Sequence, residues 1–467
     1  MEVTNRSRSS RSSLVAGTVE GILATPFIIL TAPGSFVLVA LLSEYFQLDK
    51  AALGWIVSLP SWSNAAQVVV IPLLARFLTA KDMTIGLGWF NAGLWAMLVL
   101  ALPYLPRGQA GAAAVFFTGF FLMASPSQAF FGIGWTTWLR DWVPQRLRGG
   151  YVGSRNRWMS VATIAYLLFI MGLFELGQDA LWPFIVMIGV AMAMRMASLL
   201  HLHKIKTPQE RGSAIASVGF VEALKTCMKA PGLVLFIVFS AWMNFWMGFT
   251  GPFMPVFCFE ELKVHTAEFT LLMTLGTLTG IAGWLFWGKA ADRVGSVAVI
   301  IVGTILWELQ QFLWVVLTPE TAWLLYPMYL WGGFFAVSFF MGCFNLLLNL
   351  APEKSSMAAV SLHLAVTSVA AALAPMIAGV LLEEFVTRRG GGLGTYHLGF
   401  LIKSAAFLLG LTFLAGIREP GKSSLTSLPG AFRSIRQQLA VQGLEFLTNL
   451  TPFRNNHGSS KKRPRRK

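Results

Sequence analysis

Charged side chains are scarce in this sequence of 467 residues: Asp, Glu, Lys and Arg together make up 12% of it, whereas soluble proteins carry about a quarter. Hydrophobic residues supply 55%, and the mean hydropathy is +0.63. An ordinary soluble protein is therefore excluded. The net charge of +15 does not indicate nucleic-acid binding, because the basic residues cluster in short links between apolar segments and at the C-terminus.

Catalytic and metal-binding motifs are also missing. The three cysteines, Cys227, Cys258 and Cys343, are far apart in the sequence, so neither a disulfide framework nor a metal site is predicted. The six histidines form no H-E-x-x-H motif, and the chain has no G-x-S-x-G motif. The run 416–423 has the Walker-type spacing G-x-x-x-x-G-K-S, but it follows the last apolar stretch instead of a strand, so no phosphate-binding loop is predicted there. These observations argue against a membrane enzyme and against direct use of ATP, and no cofactor is predicted.

Long apolar stretches are what the chain has instead. Each has about 20 or more residues, enough to cross the ~30 Å hydrocarbon core of a bilayer as a helix. We predict twelve transmembrane helices, at 16–43, 52–78, 83–104, 110–138, 157–177, 180–202, 231–257, 267–288, 296–317, 321–350, 357–384 and 396–417. The first stretch is too long for a signal peptide, so we interpret it as the first of these helices.

The distribution of basic residues predicts how the chain is threaded. Of the 36 Lys and Arg residues, 29 fall in the termini and links on one side of the predicted membrane and five on the other, while Arg195 and Lys403 lie inside spans. Basic links stay on the cytoplasmic side. We therefore expect an integral, multi-pass protein of the plasma (inner) membrane with both termini in the cytoplasm.

One long interior link divides the spans into two sets of six. The predicted organisation is a cytoplasmic N-tail (1–15), an N-terminal six-helix bundle (16–202), a cytoplasmic linker (203–230), a C-terminal six-helix bundle (231–417) and a cytoplasmic tail (418–467). Within the linker, 218–225 has the pattern of a short amphipathic surface helix, and a plain tether explains it equally well.

The tail combines an amphipathic pattern at 431–450 with a polybasic end at 461–467. Beside a bilayer, this combination predicts binding to anionic lipids, at about 1 kcal/mol per basic residue; a solvated tail without order is the alternative. The basic end also resembles a nuclear localisation signal. Twelve upstream spans argue against that interpretation, and no nucleic-acid partner is expected.

The two halves repeat each other at their helix breaks. The first span carries Thr25-Pro26-Phe27 and then Pro33-Gly34, and the seventh carries Gly251-Pro252-Phe253 and then Pro255. Helix-breaking residues at corresponding places in two halves indicate the binding region of a transporter. The exits of spans four and ten correspond as well, at Asp141-Trp142-Val143-Pro144 and Asn349-Leu350-Ala351-Pro352.

The link between spans eight and nine reads Gly288-Lys289-Ala290-Ala291-Asp292-Arg293-Val294-Gly295. It matches the G-x-x-x-D-R-x-G signature of the major facilitator superfamily, and Pro144-Gln145-Arg146-Leu147-Arg148-Gly149 resembles that family's P-x-x-x-R-G pattern. Over spans one to twelve the chain thus resembles this family. The resemblance implies an all-α membrane protein with twelve transmembrane helices in two pseudo-symmetric six-helix bundles, the major facilitator fold.

The same resemblance implies a cytoplasmic gate. In the family, the Asp and Arg of this loop form a charge latch that helps to hold one of the alternating states. The candidate gate residues are Gly288, Asp292, Arg293 and Gly295, together with Arg148 on the first-half link. The equivalent first-half loop keeps Arg76 but has Ala75 where the acid belongs, which argues against a symmetric second latch.

Two other family signatures are absent. The centre of span five, 162–167, lacks the Gly-Pro-rich antiporter pattern, and span four lacks the Arg near its middle that is typical of many proton-coupled drug exporters. A drug or lipophile efflux antiporter therefore becomes the alternative. A transporter-like membrane sensor, which binds a solute without flux, is an alternative from another class.

Ionisable side chains at membrane depth cost several kcal/mol, so each needs a partner or a function. Glu308 and Lys403 lie at similar depth on spans nine and twelve, neighbours in the resembled fold, and we predict a buried ion pair that is mainly structural, with a coupling role as the alternative. Glu20 and Arg195, on spans one and six, form a second candidate pair. Because span one lines the central cavity of the resembled fold, Glu20 is the candidate proton carrier; an interfacial or purely paired role is the alternative.

Neutral polar and aromatic residues concentrate on spans two, four, seven, ten and eleven. Amides, hydroxyls and aromatic faces can hydrogen-bond and stack on an uncharged solute. The candidate substrate-binding residues are Asn64, Gln67, Gln128, Trp135, Trp242, Asn244, Asn345 and His363. For any single residue, a hydrogen bond between packed helices is the better explanation, so the prediction rests on the set as a whole.

We therefore interpret the sequence as a secondary active transporter without enzyme activity, which moves a small, uncharged polar or amphiphilic solute by alternating access. Proton symport is the candidate coupling. The expected partners are the solute, a proton and anionic lipids, and the expected oligomeric state is a monomer.

Overall fold

The computed structural model describes residues 2–74, 77–143, 145–177, 180–205, 225–352 and 356–417. The described residues are almost entirely helical, and no β-strand occurs among them. Four sequence predictions lie outside these ranges: the linker helix at 218–225 except its last residue, the two tail patterns at 431–450 and 461–467, and the first-half loop residues Ala75 and Arg76.

Every predicted span coincides with one helix or with two consecutive ones, although α1 and α6 begin well before the predicted starts at residues 16 and 157. The N-terminal half contains α1 (Glu2–Thr31), α2 (Phe36–Ala40, continued by a π-helical turn, Leu41–Tyr45), α3 (Lys50–Leu74), α4 (Ala80–Ala101), α5 (Ala110–Trp142), α6 (Gln145–Gly177) and α7 (Trp182–His203). The C-terminal half contains α8 (Pro231–Thr250), α9 (Phe253–Glu260), α10 (Thr266–Val294), α11 (Ser296–Gln311), α12 (Leu325–Leu350), α13 (Ser356–Leu382) and α14 (Gly392–Gly410). The predicted all-α fold is confirmed.

Among the described residues, eleven helical segments are long and apolar enough to cross a membrane. The remaining predicted span corresponds to α3, which has 25 residues. Large apolar side chains also cover the periphery of the bundle; Met97 and Leu176, for example, are 66% and 78% exposed. A continuous apolar surface of this kind is expected to face lipid.

The predicted helix breaks are present in both halves. Pro33 and Gly34 separate α1 from α2, and Gly34 has a φ of 70°, a conformation that glycine adopts without a Cβ penalty. Gly251 and Pro252 separate α8 from α9, whereas Pro26 stays inside α1. The two breaks meet between the halves, because a Cβ on Gly34 would lie 3.3 Å from Pro252 Cγ.

Helix ends also follow the sequence signals. Helices α5 and α12 end where the two corresponding exits were predicted, at Trp142 and Leu350. Helix α10, predicted to end near residue 288, continues to Val294. It ends there because Gly295 adopts a φ of 95°, which breaks the helix at a position suited to glycine.

The two halves meet along two helix pairs, α3 with α13 and α6 with α10. The first contact is close because a Cβ on Gly54 would collide with the carbonyl oxygen of Pro375, and a Cβ on Gly379 with that of Lys50. Apolar helices gain little hydrophobic energy from association in lipid, so close backbone approach through small residues is what stabilises such a contact.

Candidate solute-binding site

A cavity of about 680 Å³ lies between the two halves. Helices α3 and α5 form most of its wall, and residues of the α1–α2 break, α4, α12 and α13 complete it. Its volume is within the range of about 300–1,000 Å³ that holds a small organic ligand.

Helix α5 contributes the longest stripe of lining residues. Ser125, Gln128, Gly132 and Thr136 line the cavity, and their spacing of three and then four residues keeps them near one helix face. Ser125 Oγ and Gln128 Oε1 are buried and have no hydrogen-bond partner among the described residues. Leaving a buried polar group unpaired costs about 1–3 kcal/mol, so a solute that hydrogen-bonds these two groups would recover that free energy.

Helix α3 adds two amides to the same wall. Asn64 and Gln67 both line the cavity, and Gln67 Nε2 donates a hydrogen bond to Asn64 Oδ1 at 2.8 Å. This bond fixes the two amides relative to each other. The NH₂ group of Asn64 and the carbonyl of Gln67 are the amide groups left for a solute.

The C-terminal half contributes a different kind of surface. Its lining residues are Leu348 from α12 and Val360, Ser361 and Leu364 from α13. One hydroxyl is therefore the only side-chain polar group that this half supplies to the described lining. The N-terminal half thus lines the cavity with polar groups and with apolar residues such as Trp95, Phe121 and Ile133, whereas the C-terminal half supplies a mainly apolar wall.

The cavity extends from the α1–α2 break towards one end of the bundle. Thr31 and Pro33 line it near the break, whereas Arg140, in the last turn of α5, and Leu348 line it near the ends of α5 and α12. We call this second end the basic face, since it carries the links that the sequence predicts to be cytoplasmic. The other end is called the opposite face.

Contacts between the halves close the opposite face. Lys50 Nζ lies 2.8 Å from Glu260 Oε2, and the Lys50 backbone N–H donates to Glu383 Oε2 at 3.0 Å. The rings of Phe36 and Phe269 lie 5.6 Å apart. Each contact joins the N-terminal half to the C-terminal half. Sequence reasoning missed this cluster because it requires knowing which helix ends are neighbours.

Three of the eight predicted substrate-binding residues line the cavity: Asn64, Gln67 and Gln128. Trp135 does not line it, and the guanidinium of Arg155 lies 4.5 Å from the centroid of its ring. Seven residues separate Trp135 from Gln128, which suggested a shared face. However, the lining face of α5 rotates along the helix, by about 40° at each four-residue step, and leaves Trp135 on another side.

The other four predicted residues, all in the C-terminal half, also lie away from the cavity lining. Trp242 Nε1 donates to the Ala406 carbonyl at 2.7 Å, and Asn244 Nδ2 donates to the Ser240 carbonyl, one turn back, at 2.8 Å. His363 stacks on Phe236, with ring centroids 5.4 Å apart and an interplanar angle of 7°. Asn345 lies half-buried on α12.

Glu20 lies in a buried cluster with two arginines. Its carboxylate is 2.9 Å from Arg155 Nη2 and 3.9 Å from Arg195 Nη1. Ser198 Oγ lies 3.5 Å from Glu20 Oε1, and Arg155 Nε donates to the Gly17 carbonyl at 3.1 Å. The predicted Glu20–Arg195 pair is therefore the longer of two contacts. Arg155 is the closer partner.

Sequence reasoning missed Arg155 because it counted this residue in a basic link. Helix α6 begins at Gln145, so Arg155 lies almost three turns inside it and reaches α1. Gly21 makes room for the side chain, since a Cβ there would collide with the guanidinium. This glycine, next to Glu20 in the sequence, was the available signal.

The structure brings Glu308 and Lys403 together. Lys403 Nζ lies 2.7 Å from Glu308 Oε1, and both side chains are buried. The ammonium also lies 4.4 Å from the ring centroid of Phe407 and 5.3 Å from that of Trp307. Neither member of the pair lines the cavity, so the contacts fit a structural role.

The predicted gate residues lie at the basic face. Gly288, Asp292 and Arg293 occupy the last two turns of α10, with Asp292 exposed and Arg293 half-buried, and Gly295 ends the helix. The backbone of Arg148 belongs to α6, but its side chain lies outside the described part of the chain. The latch itself remains a prediction.

Comparisons with known proteins agree with this architecture. Residues 234–456 match the sequence profile of the Major Facilitator Superfamily. A comparison with curated proteins finds no significant match.

Solved transporter structures share the fold over most of their length. A mutant of the nucleoside transporter NupG has a TM-score of 0.66 at 14% identity, covering 87% of this chain and 99% of that one. A bacterial homologue of the human lysosomal transporter Spinster, inward-facing and unoccupied, gives 0.58 at 13%, covering 93% and 98%. An inward-facing bacterial homologue of the iron transporter ferroportin gives 0.63 at 12%, covering 87% and 98%. At these identities the likeness shows the fold alone.

Proposed function

We propose that this chain, a multi-pass membrane protein that belongs to the major facilitator superfamily, is a secondary active transporter of a small, uncharged polar or amphiphilic solute. The observation that carries the proposal is the cavity between the two halves, with Asn64, Gln67, Ser125 and Gln128 in its wall. Family membership supports membrane transport rather than enzyme activity. The neutral amides and hydroxyls support an uncharged solute, since they hydrogen-bond without supplying a counter-charge.

The way in which the cavity is closed supports alternating access as the mechanism. Lys50 ties the halves together at the opposite face through Glu260 and Glu383, while the cavity reaches towards the basic face. If the basic face is cytoplasmic, as the distribution of basic residues predicts, this conformation faces inward. Exposure of the cavity to the exterior then requires the Lys50 contacts to break and the halves to close at the basic face.

We further propose that Glu20 couples proton movement to transport. Glu20 is 2% exposed and joins α1 to α6 and α7 through Arg155 and Arg195. Helix α6 also packs against α10 of the other half, so a change in the charge of Glu20 would act on a helix that contacts both halves. The Glu20→Gln variant should lose uptake driven by a pH gradient. Undiminished proton-linked uptake in that variant would remove Glu20 from the coupling step.

The test of the transport proposal is a flux screen. The purified full-length chain is reconstituted in proteoliposomes, and uptake of sugars, nucleosides, peptides and neutral amphiphiles is measured at two pH values. At least one solute should accumulate, and Ser125→Ala and Gln128→Ala should each lower its uptake. Thr163→Ala is a matched control, because its hydroxyl bonds the Met159 carbonyl at 3.0 Å on α6, away from the cavity lining.

The remaining outcomes decide against transport. Binding without flux would favour a membrane sensor, and conversion of a solute into a product would indicate an enzyme. Uptake that is unaffected by Ser125→Ala and Gln128→Ala would contradict the assignment of this cavity as the binding site.

A further inference from the structure

The two walls of the cavity differ in what they offer a solute. The wall from the N-terminal half carries the side chains of Asn64, Gln67, Ser125 and Gln128. The facing wall carries the branched aliphatic side chains of Leu348, Val360 and Leu364, with a single hydroxyl from α13. The hydrogen-bonding amides of the lining therefore belong to the N-terminal half, which also contributes apolar residues such as Trp95 and Phe121, whereas the wall from the C-terminal half is mainly aliphatic.

The polar wall favours a neutral hydrogen-bonding group. Ser125 and Gln128 line the cavity, and Ser125 Oγ and Gln128 Oε1 have no partner among the described residues, so a rotation of either side chain would let it pair with a hydroxyl group of a solute. The charged lining residue, Arg140, lies in the last turn of α5 near the basic face, three turns beyond Gln128. A charged group held beside Gln128 would be buried without a nearby counter-charge, which is costly.

The apolar wall excludes a solute that is polar all round. Leucine and valine side chains form no hydrogen bonds, so hydroxyl groups that face them would be buried unpaired. A solute that is apolar all round fails on the other side, since it would leave Ser125 and Gln128 unpaired. A molecule with one hydroxylated end and one apolar end satisfies both walls.

We infer that the cavity takes an amphipathic solute, whose uncharged, hydroxylated head group binds Ser125 and Gln128 and whose short apolar tail packs against Leu348, Val360 and Leu364. This inference rests on the proposed function and specifies its substrate class. Because the two walls belong to different halves, the head group stays with the N-terminal half during rocking, whereas the contacts of the tail change.

Gly132 provides a way to fill this cavity without disturbing the fold. It lines the cavity on α5, four residues after Gln128, and a Cβ added there meets no atom within 4 Å. Leucine at this position should occupy the solute volume. Gly119 on the same helix also has free space around it, since an added Cβ would meet no atom within 4 Å, but it does not line the cavity. Gly119→Leu is therefore the matched control.

The experiment measures the thermal stability of the full-length chain in lipid nanodiscs against the concentration of four compounds: hexyl β-D-glucoside, D-glucose, 1-hexanol and hexyl phosphate. Hexyl glucoside should stabilise the protein by mass action at concentrations about tenfold or more below those needed for the other three. The shift should vanish in Gly132→Leu and persist in Gly119→Leu. Gln128→Ala should weaken it by about fivefold, as expected for one lost hydrogen bond.

Each other result overturns the inference. Equal potency of glucose would indicate a polar site, equal potency of hexanol an apolar site, and tighter binding of hexyl phosphate a charged head group. No shift with hexyl glucoside, or the same shift in Gly132→Leu, would place the solute elsewhere. The melting temperature without added compound shows whether Gly132→Leu is folded, and Gln128→Ala provides an independent variant if it is not.

A flux measurement separates this inference from the proposed function. If hexyl glucoside binds but is not transported in proteoliposomes, and no other solute is, transport is wrong and the amphipathic site stands. If a wholly polar solute is transported and hexyl glucoside does not bind, transport stands and the amphipathic site is wrong.

Discussion

The N-terminal and C-terminal halves share one helical architecture but bury different sets of charges. In the N-terminal half, Glu20 faces two arginines, at 2.9 Å and 3.9 Å. In the C-terminal half, Glu308 faces Lys403 at 2.7 Å. The first cluster has one positive charge in excess when all its groups are ionised, whereas the second is neutral. The fold thus fixes where helices lie and leaves each half free to place its own charges.

The cavity follows the same division. Its amides and two of its buried hydrogen-bonding groups come from α3 and α5, whereas α12 and α13 supply mainly aliphatic surface. The half with the excess charge is therefore also the half that offers hydrogen bonds to a solute. We interpret the N-terminal half as the one that hydrogen-bonds the solute and couples its movement to protons. The C-terminal half closes over the solute with an apolar surface.

The largest expected effect tests whether the C-terminal pair is structural. Lys403→Leu should lower the free energy of unfolding by about 3–5 kcal/mol, because it leaves the carboxylate of Glu308 buried without a partner. The double variant Glu308→Leu/Lys403→Leu should regain most of that loss. Unfolding of both variants in the same detergent measures the difference. A double variant no more stable than the single one would contradict the pairing.

The N-terminal cluster should show unequal couplings. Double-mutant cycles that combine Glu20→Gln with Arg155→Leu or with Arg195→Leu separate the two contacts. The coupling of Glu20 to Arg155 should be the larger one, by about 1–2 kcal/mol, since a charge-assisted hydrogen bond weakens as its distance grows from 2.9 to 3.9 Å. Equal coupling energies would mean that Arg155 and Arg195 interact equally strongly with the carboxylate of Glu20.

The sequence predicts how deep a residue lies along its helix, but it predicts only partly which side of the helix the side chain occupies. The spans, the breaks at Pro33-Gly34 and Gly251-Pro252 and the helix exits follow from apolar length and from helix-breaking residues. The Glu308–Lys403 contact followed from similar depth in helices that the resembled fold makes neighbours. Side-chain direction depends on helix rotation and on tertiary partners.

Three residues show where the sequence did not predict the direction or the partner of a side chain. Trp135 shares a helix face with Gln128 in a projection of α5, yet it stacks against Arg155. The indole of Trp242 is engaged by the Ala406 carbonyl, 164 residues away in the sequence. Arg155 was assigned to a link because helix α6 starts well before its apolar part. Each outcome is set by a partner that is distant in the sequence.

A smaller effect is expected at the opposite face. Glu260→Gln removes the charge that pairs with Lys50, whose side chain is 12% exposed. The closed opposite face should lose about 1 kcal/mol, an upper value for a partly exposed pair, which raises the open population about fivefold. Labelling of Thr31→Cys by a membrane-impermeant thiol reagent from the exterior should accelerate by that factor. The chain without the added cysteine is the control, and an unchanged rate would remove this pair from the closure.

The smallest effect should come from His363→Phe, which asks whether the C-terminal half binds the solute through a polar group. The imidazole stacks on Phe236, and its Nε2 has no hydrogen-bond partner among the described residues. Phenylalanine keeps the stacked ring and gives up no hydrogen bond at that atom, so uptake should stay within about twofold of the unsubstituted chain, where Gln128→Ala loses about fivefold. Flux in proteoliposomes compares the two variants directly. A loss as large as that of Gln128→Ala would give the C-terminal half a polar contact with the solute and end the division between a binding half and a covering half.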